Sequence, residues 1–236
     1  MEKGNINEKI KLLTGNGMWH TQETEDLPSV HLSDGPHGLR KQEEKERQNN
    51  VSLVSTCYPT ASALACSWDV TAAERLGRAV AKEAWNADVS VLLGPGINMK
   101  RSPLCGRNFE YFSEDPFLAG RLGAAYVNAA QGENVAVSLK HFAANNQETN
   151  RQTANSQIDE RALREIYLSA FEYVVKTARP ATVMASYNRL NGYYACENRH
   201  LLTEILREEW GFDGVVISDW GACADLAKAV KAGMDL

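Results

Sequence analysis

Four segments of this sequence place ionisable side chains where chemistry is possible. Asp219 follows Val216-Ile217-Ser218 and precedes Trp220-Gly221, so an apolar run delivers a carboxylate to its end and an indole comes next. A carboxylate so placed suits a nucleophile facing a ring-shaped substrate, and it also suits a cap for the following helix. Lys140 and His141 end a second apolar run, and a buried lysine is costly unless it meets an anion or a polar ligand. A structural salt bridge would meet that need. The Asn145, Asn146, Gln147 and Glu148 that follow also supply the dense hydrogen bonding a polyhydroxylated substrate requires. Asp34 and Arg40 share one loop shaped by Gly35, Pro36 and Gly38. Such a carboxylate can accept from two adjacent hydroxyls and the guanidinium fork can donate to two oxygens, although an Asx-type turn with a surface arginine, and His37 within it, is the structural alternative. Residues 101–111 mix Arg107 and Glu110 with Phe109 and Tyr111, a composition that fits a pocket wall or a packed loop.

These side chains need elements to position them. Short β-branched runs at 28–33, 89–93, 135–139, 181–185 and 214–218 read as strands buried on both faces, with a shorter candidate at 59–65. Between them lie helical patterns. Thr71-Ala72-Ala73-Glu74 reads as a capping box, and Asp115-Pro116 puts a cap residue before a proline at the first helical position. Leu163, Ile166, Tyr167, Ala170, Phe171 and Val174 form one stripe along a helix over 159–179. A further helix over 199–210 stops at Gly211, and Asp213-Gly214 turns into the last strand. Repeated strand and helix units with short connections imply a parallel sheet, and polar residues recur at the C-terminal end of nearly every strand: Asp34, Gly94-Pro95-Gly96, Lys140-His141, Tyr187-Asn188, Asp219-Trp220. A (β/α) barrel gathers such ends around one mouth. About six strands, with residues 232–236 approaching another, predict a TIM-type α/β barrel that is incomplete at its C-terminus, one partial domain over 1–236. The polar run 41–50 reads as a solvated loop.

Composition narrows the function. The 236 residues are 44% hydrophobic and 23% charged, the profile of a soluble globular chain. Lysine and arginine total 25 against 30 acidic residues, and a net charge of −5 argues against a nucleic-acid partner. No run approaches the length of a membrane span, and residues 1–7 lack the apolar core of a secretion signal, so a cytoplasmic chain is expected. Five scattered cysteines without CxxC spacing read as reduced thiols. No phosphate-cradling glycine motif follows a strand.

Taken in order, the motifs Asp34-Gly35-Pro36-His37-Gly38-Leu39-Arg40, residues 106–115, Lys140-His141-Phe142 through Glu148, Met184 through Asn188, and Ser218-Asp219-Trp220 resemble the β-glucosidase branch of glycoside hydrolase family 3. The resemblance runs from about Pro28 to the end, over the N-terminal barrel domain of that family. It implies that Asp219 is the catalytic nucleophile of a retaining enzyme acting on terminal β-linked sugars. It also implies that Asp34, Arg40, Arg107, Lys140 and His141 hold sugar hydroxyls, with Tyr187 and Trp220 as aromatics beside the nucleophile. The substrate partner is then a β-glucoside or a related oligosaccharide, with no metal or other cofactor. The acid/base carboxyl of such family members comes from a later domain. The N-acetylglucosaminide branch carries a second histidine in Lys-His-Phe-Pro-Gly-His-Gly, which Phe142-Ala143-Ala144-Asn145-Asn146 does not reproduce. Three alternatives stand beside this reading: a metal-dependent barrel hydrolase, which would want clustered ligands; a Schiff-base enzyme using Lys140; and an inactive fragment that retains part of a sugar-binding surface.

Overall fold

Five of the apolar runs pair with one another, all parallel and in chain order. In the computed structural model, which describes residues 6–42 and 51–236, the main sheet holds β1 (Leu32–Asp34), β2 (Val91–Leu93), β3 (Ala136–Phe142), β4 (Thr182–Ala185) and β5 (Val215–Ser218). A doubly wound sheet reverses its strand order at a switch point, whereas this one never does, so the strands form an arc of a TIM-type barrel. Residues 235 and 236 run on beside β5, where both amides donate to Val216 O and Ser218 N–H donates to Leu236 O. No helix among the described residues is long and apolar enough to cross a membrane.

Alternation along the strands builds two cores. On β2, Leu92 joins the large outer core under the helices, while Val91 and Leu93 join a smaller inner cluster with Leu32, Met184 and Ile217. The outer core is covered by α1 (Val70–Asn86), α2 (Pro116–Gln131) and α3 (Ser169–Ala178). Helix α2 packs between the other two. Gly77 lets α1 approach α2 closely, since a Cβ there would stand 2.5 Å from Tyr126 O.

The structure corrects the local reading in several places. Residues 59–65 hold no strand: Ala61–Ala65 is a helical turn whose Thr60 Oγ1 accepts from Ala63 N–H, as expected of a short alanine-rich run behind a threonine cap. Helix α1 begins two residues earlier than the Thr71 box suggested, because Asp69 Oδ1 accepts from Thr71 N–H at 2.8 Å. Asp115 caps α2 with Pro116 at the first position, as the sequence indicated. The helix expected over 159–179 is present behind an Asp159 cap, with π-helical geometry over Leu163–Leu168. The next helix is π-helical over His200–Glu209. Of the run 28–33, only its end enters the parallel sheet; Val30 and His31 pair antiparallel with Thr21 and His20. Most of the polar run 41–50 lies outside the described residues.

Candidate active site

Because the strands are parallel and sequential, their C-terminal ends lie along one edge, and the ionisable groups collect there. Strand β3 presents two consecutive residues to that edge. Leu139 and Phe142 both belong to the outer core although three residues apart, which strict alternation forbids. The register explains it: Leu139 pairs with Val183 and Phe142 with Ala185, so three steps on β3 match two on β4. The extra residue leaves both Lys140 and His141 turned toward the strand-end cluster. Their peptide bond is cis. Asn98 clamps this bulge, accepting from His141 N–H at 2.7 Å and donating to His141 O at 2.8 Å.

Lys140 Nζ lies 3.5 Å from Asp34 Oδ1 and 3.8 Å from Glu110 Oε2. Asp34 Oδ2 in turn lies 3.6 Å from Arg40 Nη1. The loop is closed by its backbone, Arg40 N–H donating to Asp34 O, and Gly35 is needed because a Cβ at its φ of +130° would meet Gly38 O at 2.1 Å. The Asp34 carboxylate is therefore free to face cations and ligand. Arg107 Nε donates to Glu110 Oε1, and Arg107 Nη2 donates to His141 Nε2 at 2.8 Å. A guanidinium can only donate, which makes His141 Nε2 an acceptor and assigns the ring proton to Nδ1, 3.1 Å from the Tyr111 oxygen. Burial, then Arg107 and Lys140, hold the His141 pKa well below its ordinary value, so the ring is neutral. Burial alone would lower the Arg107 pKa, but the Glu110 carboxylate that accepts from its Nε, with Asp219 beyond it, more than offsets this and keeps the guanidinium charged.

Asp219 is 7% exposed. Its Oδ1 accepts from Trp220 N–H at 2.8 Å, whereas Oδ2 accepts no hydrogen bond among the described residues and lies 3.7 Å from His141 Nε2. With His141 neutral and its Nε2 occupied, that contact is not an ion pair. The Asp219 pKa is raised by burial, against the opposing pull of Lys140, the Trp220 amide, Arg107 and Tyr187. The Tyr187 phenol is pushed up to about 12 by burial and by the Asp219 charge, and its ring carries the Arg151 guanidinium 4.4 Å from its centroid. Asp219 does not cap the next helix; Asp225 does, accepting from Lys228 N–H ahead of Leu226–Ala232.

Seven of the eight residues singled out from the sequence, Asp34, Arg40, Arg107, Lys140, His141, Tyr187 and Asp219, thus form one connected cluster. Trp220 stands at its margin, its indole Nε1–H donating to Met18 O at 2.8 Å and its ring 5.4 Å from that of Trp19. Sequence reasoning missed Asn98 and Arg151 as members, and treated Glu110 and Tyr111 only as pocket wall. Asn98 had a signal, an amide inside the apolar run Ile97-Asn98-Met99.

A TIM-type barrel arc with ionisable groups at its strand ends defines the class of domain, and comparison with known proteins gives the family. Residues 35–235 match the model of the glycosyl hydrolase family 3 N terminal domain, and the chain belongs to that family. It is 54% identical over 235 residues to thermostable beta-glucosidase B of Acetivibrio thermocellus, covering 98% of this chain and 31% of that protein. It is 49% identical to an exo-alpha-(1->6)-L-arabinopyranosidase of Bifidobacterium longum, with coverage of 98% and 31%. The structure of beta-glucosidase 3B from Thermotoga neapolitana in complex with glucose superposes with a TM-score of 0.93 at 42% identity, covering 98% of this chain and 35% of that one. The chain spans about a third of the length of these relatives.

Proposed function

We propose that the protein carrying this chain is a retaining glycosidase that hydrolyses terminal β-linked sugars, β-glucosides foremost, with Asp219 as its nucleophile. The observation that carries this reading is the state of the Asp219 carboxylate: one oxygen is fixed by a backbone amide, and the other is buried beside Arg107, Lys140, His141 and Tyr187 with no hydrogen-bond partner among the described residues. Such an oxygen is oriented and poorly solvated, as attack on an anomeric carbon requires. Bond formation from Oδ2 gives a glycosyl ester while the leaving oxygen takes a proton from a general acid; water then breaks the ester with that group acting as base. By family resemblance the acid/base carboxyl comes from a part of the protein beyond this chain.

In this reading Asp34 and Lys140, with Arg40, Arg107 and His141, bind the sugar hydroxyls, Tyr187 flanks the nucleophile, and Trp220 borders the ring. The relatives named as a beta-glucosidase and as an arabinopyranosidase support a pyranoside substrate. Schiff-base chemistry is not favoured: the buried Lys140 Nζ is committed to ion pairs with two carboxylates rather than left as an unpaired amine. The five free cysteines support a reducing, cytoplasmic setting. The test is trapping with a 2-deoxy-2-fluoro glycoside followed by peptide mapping of the full-length protein. Label on Asp219 is expected; label on Glu110 or Glu148 overturns the assignment.

A further inference from the structure

Glu110 has no part in that chemistry, yet it is a carboxylate only 5% exposed within the same cluster. It ends the single helical turn Asn108–Glu110, and its two oxygens serve two different cations: Oε1 accepts from Arg107 Nε, and Oε2 lies 3.8 Å from Lys140 Nζ. Both cations also bear on Asp219, whose Oδ2 accepts no hydrogen bond among the described residues. Arg107 reaches toward that oxygen already, since its Nη2 sits 2.8 Å from His141 Nε2, which is itself 3.7 Å from Asp219 Oδ2. Without Glu110, the guanidinium and the ammonium would retain Asp34 and Asp219 as counter-ions. In a buried setting an unpaired cation closes on whatever anion is in reach. Closure on Asp219 would occupy the attacking oxygen and fill the space where the sugar must sit.

We propose that Glu110 is a positioning residue that holds Arg107 and Lys140 back from Asp219, so that both cations face the sugar and the nucleophilic oxygen stays free. This rests on Asp219 being the nucleophile. The groups facing Asp219 from neighbouring elements are Lys140 and His141 from β3, Arg107 from the loop after β2, and Tyr187 from the end of β4, with Arg151 behind that phenol. His141 is neutral and Tyr187 titrates near 12, so neither changes charge where a carboxylate does. Of the remaining charged groups only carboxylates can set the acid limb of kcat/KM, and Asp34 is the same in all the variants compared, so a displacement of the limb on replacing Glu110 reports the cations upon Asp219.

The experiment compares Glu110→Gln and Glu110→Asp with wild type in the full-length protein, measuring the pH profile of kcat/KM and the inactivation rate by a 2-deoxy-2-fluoro glycoside. For Glu110→Gln the acid limb is expected to move to lower pH as the released cations close on Asp219. At the plateau, kcat/KM and the inactivation rate are expected to fall together by about tenfold or more. Glu110→Asp, which keeps the charge on a shorter arm, is expected to fall between and decides the matter if the glutamine variant does not fold. An acid limb that stays in place overturns the proposal, whether activity is intact or lost, because a merely structural glutamate would lower the active fraction without moving the limb. If the wild-type label does not map to Asp219, the nucleophile assignment fails first, on separate evidence.

Discussion

Replacing Asp34 by asparagine separates a sugar-binding carboxylate from one that merely holds a loop together. The loop does not need the charge, because Arg40 N–H already donates to Asp34 O at 2.8 Å and Gly35 supplies the positive φ. Two contacts are lost on substitution: Arg40 at 3.6 Å, with its own side chain about half exposed, and Lys140 at 3.5 Å. Since the Asp34 side chain is 32% exposed and Lys140 retains Glu110 at 3.8 Å, the loss of stability is expected to be about 1 kcal/mol, the upper end for partly exposed pairs. Contact with substrate is worth more. A charged hydrogen bond to a hydroxyl contributes about 1.5 to 3 kcal/mol, or roughly ten- to a hundred-fold in kcat/KM, and bonds that strengthen as the ring flattens lower kcat as well. The assay pairs thermal melting with steady-state kinetics on one preparation of the full-length protein, using an aryl β-glucoside. A Tm lowered by a few degrees with kcat/KM reduced at least tenfold is expected. A clearly lowered Tm with unchanged kcat/KM would remove Asp34 from the site and weaken the case for Arg40.

Four further outcomes are expected. Burial raises the Asp219 pKa, so the folded protein binds a proton there that the unfolded chain has already released, and stability falls as pH rises through the interval between the two values. Asp219→Asn should therefore melt higher than wild type at neutral pH, with the gain fading below the ordinary carboxylate range; equal melting curves at all pH values would refute it. Arg107 lowers the same pKa, so Arg107→Met should move the acid limb of kcat/KM to higher pH, and a limb moving the other way counts against the arrangement. Cys57 and Cys66 are exposed, whereas Cys196 is buried with its thiol pushed up to about 12 by burial and by Cys223, so a disulfide reagent at neutral pH should label the first two and spare Cys196 until the protein is unfolded. Exhaustive chelation should leave turnover unchanged, since no three His, Cys, Asp or Glu side chains among the described residues are grouped to hold a metal; turnover lost to chelation and restored by Zn²⁺ or Mn²⁺ would favour the metal-hydrolase alternative.

What the sequence made legible follows from which features are local. The five main strands were readable because runs such as Val89 through Leu93 are β-branched, apolar on both faces and bounded by turn residues. Once those strands are parallel, their C-terminal residues must share an edge, so Asp34, Lys140 and Asp219 could be brought together on paper although far apart in the chain. The run 59–65 misled because Ala61-Ser62-Ala63-Leu64-Ala65 is too short to show a helical period, and only its alanine content and the Thr60 cap distinguish it from a strand. The hairpin Arg189–Leu190 and Tyr193–Tyr194 turns at Asn191-Gly192, both with positive φ, but strands of two residues have no alternation to support that signal.

The site itself shows where pattern reading stops. Alternation along β3 would send Lys140 and His141 to opposite faces, and only the register against β4 reveals a bulge that serves both to the same cluster. That bulge depends on the strand opposite and on Asn98 clamping the His141 backbone from another loop, neither of which is encoded in the spacing of residues 136–142. Glu110 is harder still. Its local sequence, Asn108-Phe109-Glu110-Tyr111, is that of an ordinary turn, and its carboxylate gains meaning only from the two cations that the fold sets against it. Charges in this cluster are balanced as a set, with Arg40, Lys140, Arg107 and Arg151 against Asp34, Glu110, Asp219 and Glu148, so the state of the Asp219 carboxylate is a property of the assembled edge of the sheet rather than of any one motif.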